Sequence, residues 1–413
     1  MNKYQMNVTL LSPVCIAQKR GTGNIIETLD YIPGSTIRGA LAMLYIRQRG
    51  TDADFYRIFT SDNVRFGNCY PEGAKVIPST TASCKYNKGF STSRSPGDGK
   101  HGVWDILAEM AKYEVMQDKL AKNFEYCEDC PSVMDRFSGY YLQEGEDNFS
   151  LVKASKRLVA RTAIMDTLET ALPANLYTLE VLNEKKEEGN VFVPQEFIGE
   201  FETDNTNWFD ELNNLLSQHG NEMRIGIGKS RGLGEVDIKL DCWPSAWQKW
   251  EKPISERLDE LNKNKKLEVP GGYFFSVTLH ADAILLDKIL RFKSTLETCD
   301  LVETLGNLST PLCPNSFNLF GKTISEFRHH RNWLSTHFVA GWNTALKLPK
   351  EDAVAISKGS VFLFRIDRTL SDTEKTNLAQ MLELIEQAGI GERCNEGFGK
   401  IRVCDEFHLK EYK

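Results

Sequence analysis

The chain has 413 residues, 41% of them hydrophobic and 26% charged, which is enough to bury a core in two or three domains. No apolar run approaches the ~18 to 20 residues of a membrane span, and the opening MNKYQMNVTLLSPV alternates like a strand and lacks the pattern of an export signal, so the expectation is a cytoplasmic protein with no membrane partner. The net charge of −7 excludes a uniformly basic nucleic-acid binder; any basic surface has to be local.

Asn7–Val14 alternates apolar and polar residues and predicts a half-buried strand. Lys19 and Arg20 precede Gly21-Thr22-Gly23, a flexible basic loop able to track a phosphate backbone. Tyr31-Ile32-Pro33-Gly34-Ser35 reads as a turn. Ser35 is placed to cap a helix from about Thr36 to Arg49, with Arg38 in its first turn, where unpaired N–H groups attract phosphate. A polar stretch with no core pattern of its own, residues 83–102, follows. Arg157 and Arg161 flank a later apolar run, and Asp166 lies in RTAIMDTLETA (161–171). Leu176–Leu182 predicts a strand, and Trp208, Leu212, Leu215 and Leu216 fall at helical spacing. GIGKSRGLG (226–234) then runs into the strand-like EVDIKL. Residues 243–272 shift to charged, Pro/Gly-punctuated sequence with a linker helix expected at 254–264. Tyr273–Leu279 and Val361–Ile366 predict strands, Leu378, Met381, Leu382 and Ile385 a helix, and GIGERCNEGFG (389–399) leads into KIRVC.

The order helix, glycine loop, strand therefore occurs twice, with Gly-Ile-Gly matched to Gly-Ile-Gly. Dinucleotide and P-loop fingerprints have the reverse order, strand before loop and helix after it, and the earlier glycine a P-loop needs falls on Met223. The whole pattern describes an α+β fold of two ferredoxin-like (RRM-like) βαββαβ domains. The expected boundaries are 1–242 for the first domain, carrying an insertion at 69–140, then a linker at 243–270, and 271–413 for the second.

Ten cysteines in a reducing compartment point to metal more than to bridges. Cys127-x-x-Cys130 is a tight pair able to place two thiolates on one zinc ion. Cys84 and His101, in the polar stretch that cannot fold unaided, are the expected remaining ligands, with Cys69 as the alternative. Four protein ligands would make the zinc structural. Cys15, Cys242, Cys299, Cys313, Cys394 and Cys404 are expected to be small buried hydrophobes.

The run YIPGSTIRGAL (31–41) and the two glycine loops resemble the RAMP superfamily of CRISPR proteins. More narrowly, RFGNCYPEG (65–73), SCKYNKGF (83–90), HGVWD (101–105), CEDC (127–130), LYTLEVLNE (176–184) and GERCNEGFGKI (391–401) resemble the Cas-five-like RAMP subunits of the Csx group in type III-D effectors. The resemblance spans about residues 8–404. It implies a subunit that holds the repeat-derived 5′ handle of a CRISPR guide RNA, packs on other effector subunits and meets target RNA indirectly. Glycines let backbone N–H groups approach phosphate closely. The expected RNA contacts are Lys19, Arg20, Ser35, Arg38, Arg161, Gly226, Gly228, Lys229, Arg231, Gly391 and Arg393; Tyr31 and Phe398 are stacking candidates for which core packing is the competing fate. Two departures stand out: Cys69 replaces an expected small residue, and Cys394 interrupts the basic run after Arg393.

Catalysis is not expected. The chain has no G-x-S-x-G elbow and no His-Asp dipeptide, and no histidine falls beside both loops in sequence. The enzymatic alternative is an endoribonuclease acting through Asp166 on target or precursor RNA. The third reading is a protein-only scaffold.

Overall fold

In strand β1 (Asn2–Leu10), Tyr4, Met6, Val8 and Leu10 are buried on every second residue and the residues between face outwards. The strand thus starts at Asn2 and stops before the stretch expected to close it. The computed structural model describes residues 1–17, 24–90, 101–116, 125–127, 129–143, 145, 148–165, 170–244, 251–264, 272–307, 327–343 and 348–410. Next come α1 (Gly34–Arg49) and β2 (Val64–Phe66), followed by β3 (Thr81–Cys84), β4 (Val103–Asp105) and β5 (Met134–Arg136). A long hairpin of β6 (Lys156–Met165) and β7 (Thr170–Leu182) leads to β8 (Glu196–Thr203), α2 (Thr206–His219) and β9 (Val236–Cys242). The second half contains β10 (Tyr273–Leu279), α3 (Thr298–Asn307), β11 (Phe327–Trp333), β12 (Thr336–Val339), β13 (Ala353–Ile356), β14 (Val361–Ile366), α4 (Asp372–Ala388) and β15 (Ile401–Val403).

The fold is mixed α+β with several small sheets. The first main sheet runs β9-β1-β8-β2 and the second β11-β14-β10-β15, with neighbours antiparallel throughout. Both orders are consistent with a ferredoxin-like βαββαβ plan. Leu176–Leu182 is not the core counterpart of Val361–Ile366: it belongs to the projecting hairpin, and the core position is taken by β8, whose Phe197 and Phe201 are fully buried. Both segments alternate, so periodicity alone could not rank them.

Helix starts are capped locally at α2, where the Asn205 side chain accepts from Asn207 N–H, and at α4, but not at α1. Before α4, Ser371 and Glu374 form a reciprocal capping box. Before α1, Pro33 holds the cap position and no side chain caps locally. Ser35 lies inside the first turn, contrary to its expected capping role, and the Gly34 N–H instead donates to Asn68 Oδ1 at 2.9 Å.

The expected linker helix is core. Ile254, Leu258 and Leu261 pack into the second hydrophobic cluster, and the 2% exposed Arg257 side chain forms a bidentate pair with Glu386 of α4 at 3.1 and 3.2 Å. Nor is β10 half-buried, as its alternation predicts: all seven residues are buried, Ser276 and Thr278 included. On one side Thr278 Oγ1 lies 2.9 Å from His408 Nε2, while His408 Nδ1 donates to Asp105 Oδ2 at 2.6 Å, joining positions 303 residues apart. Phe407 packs beside them with Val103, Phe137 and Tyr141, so the segment around β3–β5 covers the second half. Cys15 and Cys404 are buried as expected, but Cys242 and Cys299 are exposed; Cys313 lies outside the described residues.

Candidate nucleic-acid interface and cysteine–histidine centre

The two glycine loops have one backbone, in a register different from the one their letters suggest. Ile225 N–H donates to Gly234 O at 2.8 Å and Ile390 N–H to Gly399 O at 2.9 Å. Ile227 N–H donates to Cys15 O, and Glu392 N–H to Ile284 O, both at 2.8 Å. The repeat therefore aligns 225–234 with 390–399, pairing Gly226 with Gly391 and not with Gly389. A Cβ at Gly226 would lie 2.2 Å from Cys15 O, and one at Gly391 2.2 Å from Ile284 O; both residues have positive φ. These two glycines are required by the close approach of their own chain.

The shift in register changes the chemistry. Gly228 (φ 75) corresponds to Arg393 (φ 61), each opening a short 3-10 turn from the left-handed region. Lys229 then corresponds to Cys394, and Arg231 to Glu396. The first loop is basic where the second is acidic.

Around the first loop Arg224 and Arg231 face outwards and Lys229 is half-buried. Arg231 is exposed and donates through Nη1 to Tyr177 Oη at 2.5 Å. Arg161, on β6, reaches the Arg231 carbonyl oxygen at 3.4 Å through both terminal nitrogens, and Arg224 donates to Lys229 O at 3.1 Å. Neither Lys229 nor Arg231 forms an ion pair among the described residues. Burial, then repulsion from Arg47, lowers the Lys229 pKa. Arg157 is spent on Asn183 and Glu184 at 2.9 and 3.0 Å.

Around the second loop the cations converge inwards. Glu396, 9% exposed in its side chain, accepts from Arg38 Nη2 at 2.9 Å, from Lys350 Nζ at 2.9 and 3.1 Å, and from Arg393 Nε and Nη2 at 3.1 and 2.5 Å. Burial opposes ionisation of Glu396, but Arg393, Lys350 and Arg38 outweigh it and hold the carboxyl below its ordinary pKa. The loop also docks on the first half: Asn68 Nδ2 donates to Gly397 O at 3.0 Å, and Arg65 Nη1 to Gln387 O at 2.7 Å. Tyr31 is 7% exposed and its hydroxyl donates to Asp282 Oδ2 at 3.3 Å. Phe398 packs against Ile284, Ala353 and Ala355, with the Arg393 guanidinium 4.8 Å above its ring. Both aromatics are taken up by packing. Lys19, Arg20 and Asp166 lie outside the described residues.

The four expected sulfur and nitrogen ligands come together. Cys84 Sγ, His101, Cys127 Sγ and Cys130 Sγ all place a ligand atom within 4.8 Å of one another. Cys84 and Cys130 sulfurs are 3.6 Å apart, and His101 Nδ1 lies 3.1 Å from Cys127 Sγ and 3.6 Å from Cys130 Sγ. Bonds of ~2.3 Å from sulfur to a tetrahedral zinc imply sulfur–sulfur edges of about 3.7 Å, whereas a disulfide would require ~2.05 Å. The donor set fits a four-coordinate soft ion with no open position. Ser132 Oγ, 3.0 Å from Cys84 Sγ and 2.6 Å from Cys130 Sγ, supports both sulfurs from outside. Burial raises the Cys84 pKa, but Ser132 and the backbone N–H groups of Asn87 and Tyr86 bring it down to about 6. Cys69 is elsewhere: it is fully buried in the first core, 3.8 Å from Met6 O, and burial pushes its thiol pKa far up.

Sequence reasoning missed Lys350, Glu396, Asn68 and Ser132. Only Ser132 carried a local signal, two residues beyond the Cys-x-x-Cys pair; the others act across 34 to 358 positions.

Among the described residues, no helix is long and apolar enough to cross a membrane. No curated protein matches the chain significantly. Among solved structures, a type III-B Cmr-beta chain, from a complex bound to cognate target RNA and AMPPnP, is 12% identical at a TM-score of 0.35, covering 87% of this chain and 86% of that one. A chain of a Cas6 product complex is 9% identical at a TM-score of 0.39, covering 97% and 99%. The family assignment rests on sequence: the pattern of the RAMP superfamily matches residues 7–237, more than half of the 413, and this chain belongs to that superfamily.

Proposed function

We propose that this chain is a non-catalytic RNA-binding subunit of a type III CRISPR effector ribonucleoprotein, holding the 5′ repeat handle of the guide RNA. The observation that carries the reading is the first glycine loop. Lys229 and Arg231, without acidic partners among the described residues, stand beside Arg161 on an otherwise acidic chain. Localised cations on a glycine-rich turn suit a phosphate backbone. The narrower placement is with the Cas-five-like subunits of type III-D complexes, which work in the cytoplasm. In this reading the chain has two ferredoxin-like domains, 1–242 and 271–413, and the 69–140 insertion holds a structural zinc through Cys84, His101, Cys127 and Cys130. Guide RNA and other effector subunits are direct partners, and target RNA is met through the guide.

The test is to purify the tagged chain from cells carrying a CRISPR array and to map the 5′ ends of the bound RNA. Guide RNAs sharing a repeat-derived 5′ end are expected, together with effector subunits. Recovery of those proteins without RNA would overturn the RNA-binding reading in favour of a scaffold. Loss of target cleavage in a reconstituted complex carrying Asp166→Ala would overturn the non-catalytic one.

A further inference from the structure

The cluster at the second loop holds more positive charge than its carboxylate needs. Arg38 comes from α1, Lys350 from the arm that follows β12, and Arg393 from the loop itself. Three cations on the single carboxylate of Glu396 leave a formal surplus of two. The layers are also ordered: the cation side chains are 21%, 27% and 27% exposed, whereas Glu396 is 9% exposed beneath them. A guanidinium has five N–H donors and an ammonium three. Arg38 gives Glu396 only Nη2, and Arg393 keeps Nη1 uncommitted among the described contacts. The carboxylate thus gathers the cations from below and leaves donors facing out.

Beside this point is an exposed aromatic surface. Trp342 pairs across a short ladder with Pro349, next to Lys350, whose N–H donates to Gly341 O at 2.8 Å. Trp342 is 60% exposed, and Phe338 on the same arm is 72% exposed. A large exposed ring one ladder pair from a surplus cation meets the paired requirements of a single-stranded nucleic acid, which offers phosphate and base face together.

We infer that Arg38, Lys350 and Arg393, gathered by Glu396, form a second phosphate-binding point for single-stranded RNA, with Trp342 beside it as a base-stacking surface. This rests on the RNA-binding reading above and adds a site separate from the first loop. Glu396 is its positioning residue and does not touch RNA. The ligand is a phosphodiester carrying a base, not free phosphate.

The test uses the full chain and a short labelled oligouridine, with fluorescence anisotropy at several salt concentrations. Lys350→Ala is expected to make the negative slope of log affinity against log salt shallower by about 1. Trp342→Ala is expected to weaken oligouridine binding roughly fivefold or more and to leave an abasic ribophosphate oligomer of equal length unaffected. Glu396→Gln adds positive charge yet is expected to weaken binding, because the cations lose their common anchor; tighter binding would overturn its positioning role. Unfolding temperatures identify any variant that fails to fold, and Trp342, being exposed, keeps the test open in that event. Competition by inorganic phosphate at concentrations that leave the salt dependence unchanged would overturn the assignment of the ligand. If Lys350→Ala and Trp342→Ala bind like the unmodified chain while Arg231→Ala loses affinity, this site is wrong and the first-loop reading stands. If all three bind normally, the RNA-binding reading fails with it.

Discussion

The loops at 225–234 and 390–399 are built alike and used differently. Each closes on its own first residue by a backbone hydrogen bond, and each presses a glycine against the carbonyl of a residue just after the first strand of its sheet. In the first, Arg231 points to solvent and Tyr177; in the second, Glu396 occupies the corresponding place and draws in Arg38, Lys350 and Arg393. One side-chain position decides whether the turn presents a basic residue of its own or a carboxylate that gathers cations from both halves of the molecule. The hairpins beside the two loops are matched as well. Val14 bridges Leu182 as Ala283 bridges Ile356, which matches exposed Leu158 of β6 to exposed Phe338 of β12.

The sharpest way to break the comparison is through Glu396. Glu396→Ala strands three partly buried cations and is expected to cost about 3 kcal/mol, measured by denaturant unfolding of the full chain. Arg231→Ala, at the matching position, is expected to change stability by less than about 0.5 kcal/mol while weakening RNA binding. Equal losses of stability would mean that the first loop is also a structural joint. Next in size is the backbone. Gly399→Ala would bring a Cβ within 2.0 Å of Ile390 O, whereas Gly232→Ala meets nothing within 4 Å and bears only the left-handed penalty of about 1 to 2 kcal/mol. Thermal unfolding should rank Gly399→Ala well below Gly232→Ala.

Acid provides a smaller and graded test. The Glu396 carboxyl is held below its ordinary pKa, so its contribution is fully present above the unfolded value of about 4.3. It is lost as pH falls through the lower folded value. The stability difference between the parent chain and Glu396→Gln should therefore shrink on acidification, whereas the Arg231→Ala difference should stay flat. The smallest expected effect on the loops concerns metal. Elemental analysis is expected to find one zinc per chain, lost in Cys130→Ser, with little change in RNA affinity at the first loop. A large change would mean that the insertion and the loops are coupled.

What could be read beforehand was what local pattern encodes. The helix at 208–216 and the one before Gly389 appear where helical spacing places them, and the four metal-type ligands converge as their polar setting and the Cys-x-x-Cys pair suggest. The register of the repeat was misread because Gly-Ile-Gly occurs twice, while the hydrogen bonds that fix register run to Cys15 and Ile284, outside the motif. Ser35 looked like a cap because it is a capping residue type in a suitable position, yet the acceptor is Asn68, brought in by β2. Arg38 looked free because Glu396 is 358 positions away. Charge that is local in sequence says little about charge that is left over after folding.

The pair between His408 and Asp105 has a consequence for synthesis. At about 5 to 20 residues per second, the 303 positions between them take roughly 15 to 60 s to translate. Once Tyr141 is made, the surface around Val103, Phe137 and Tyr141 exists without Phe407 for the rest of that interval, and β10 emerges before His408, the partner of its Thr278. A nascent chain would carry an apolar surface for most of its time on the ribosome, so it should depend on chaperone shielding. Truncation just before residue 405 should therefore cost solubility far out of proportion to the few residues removed.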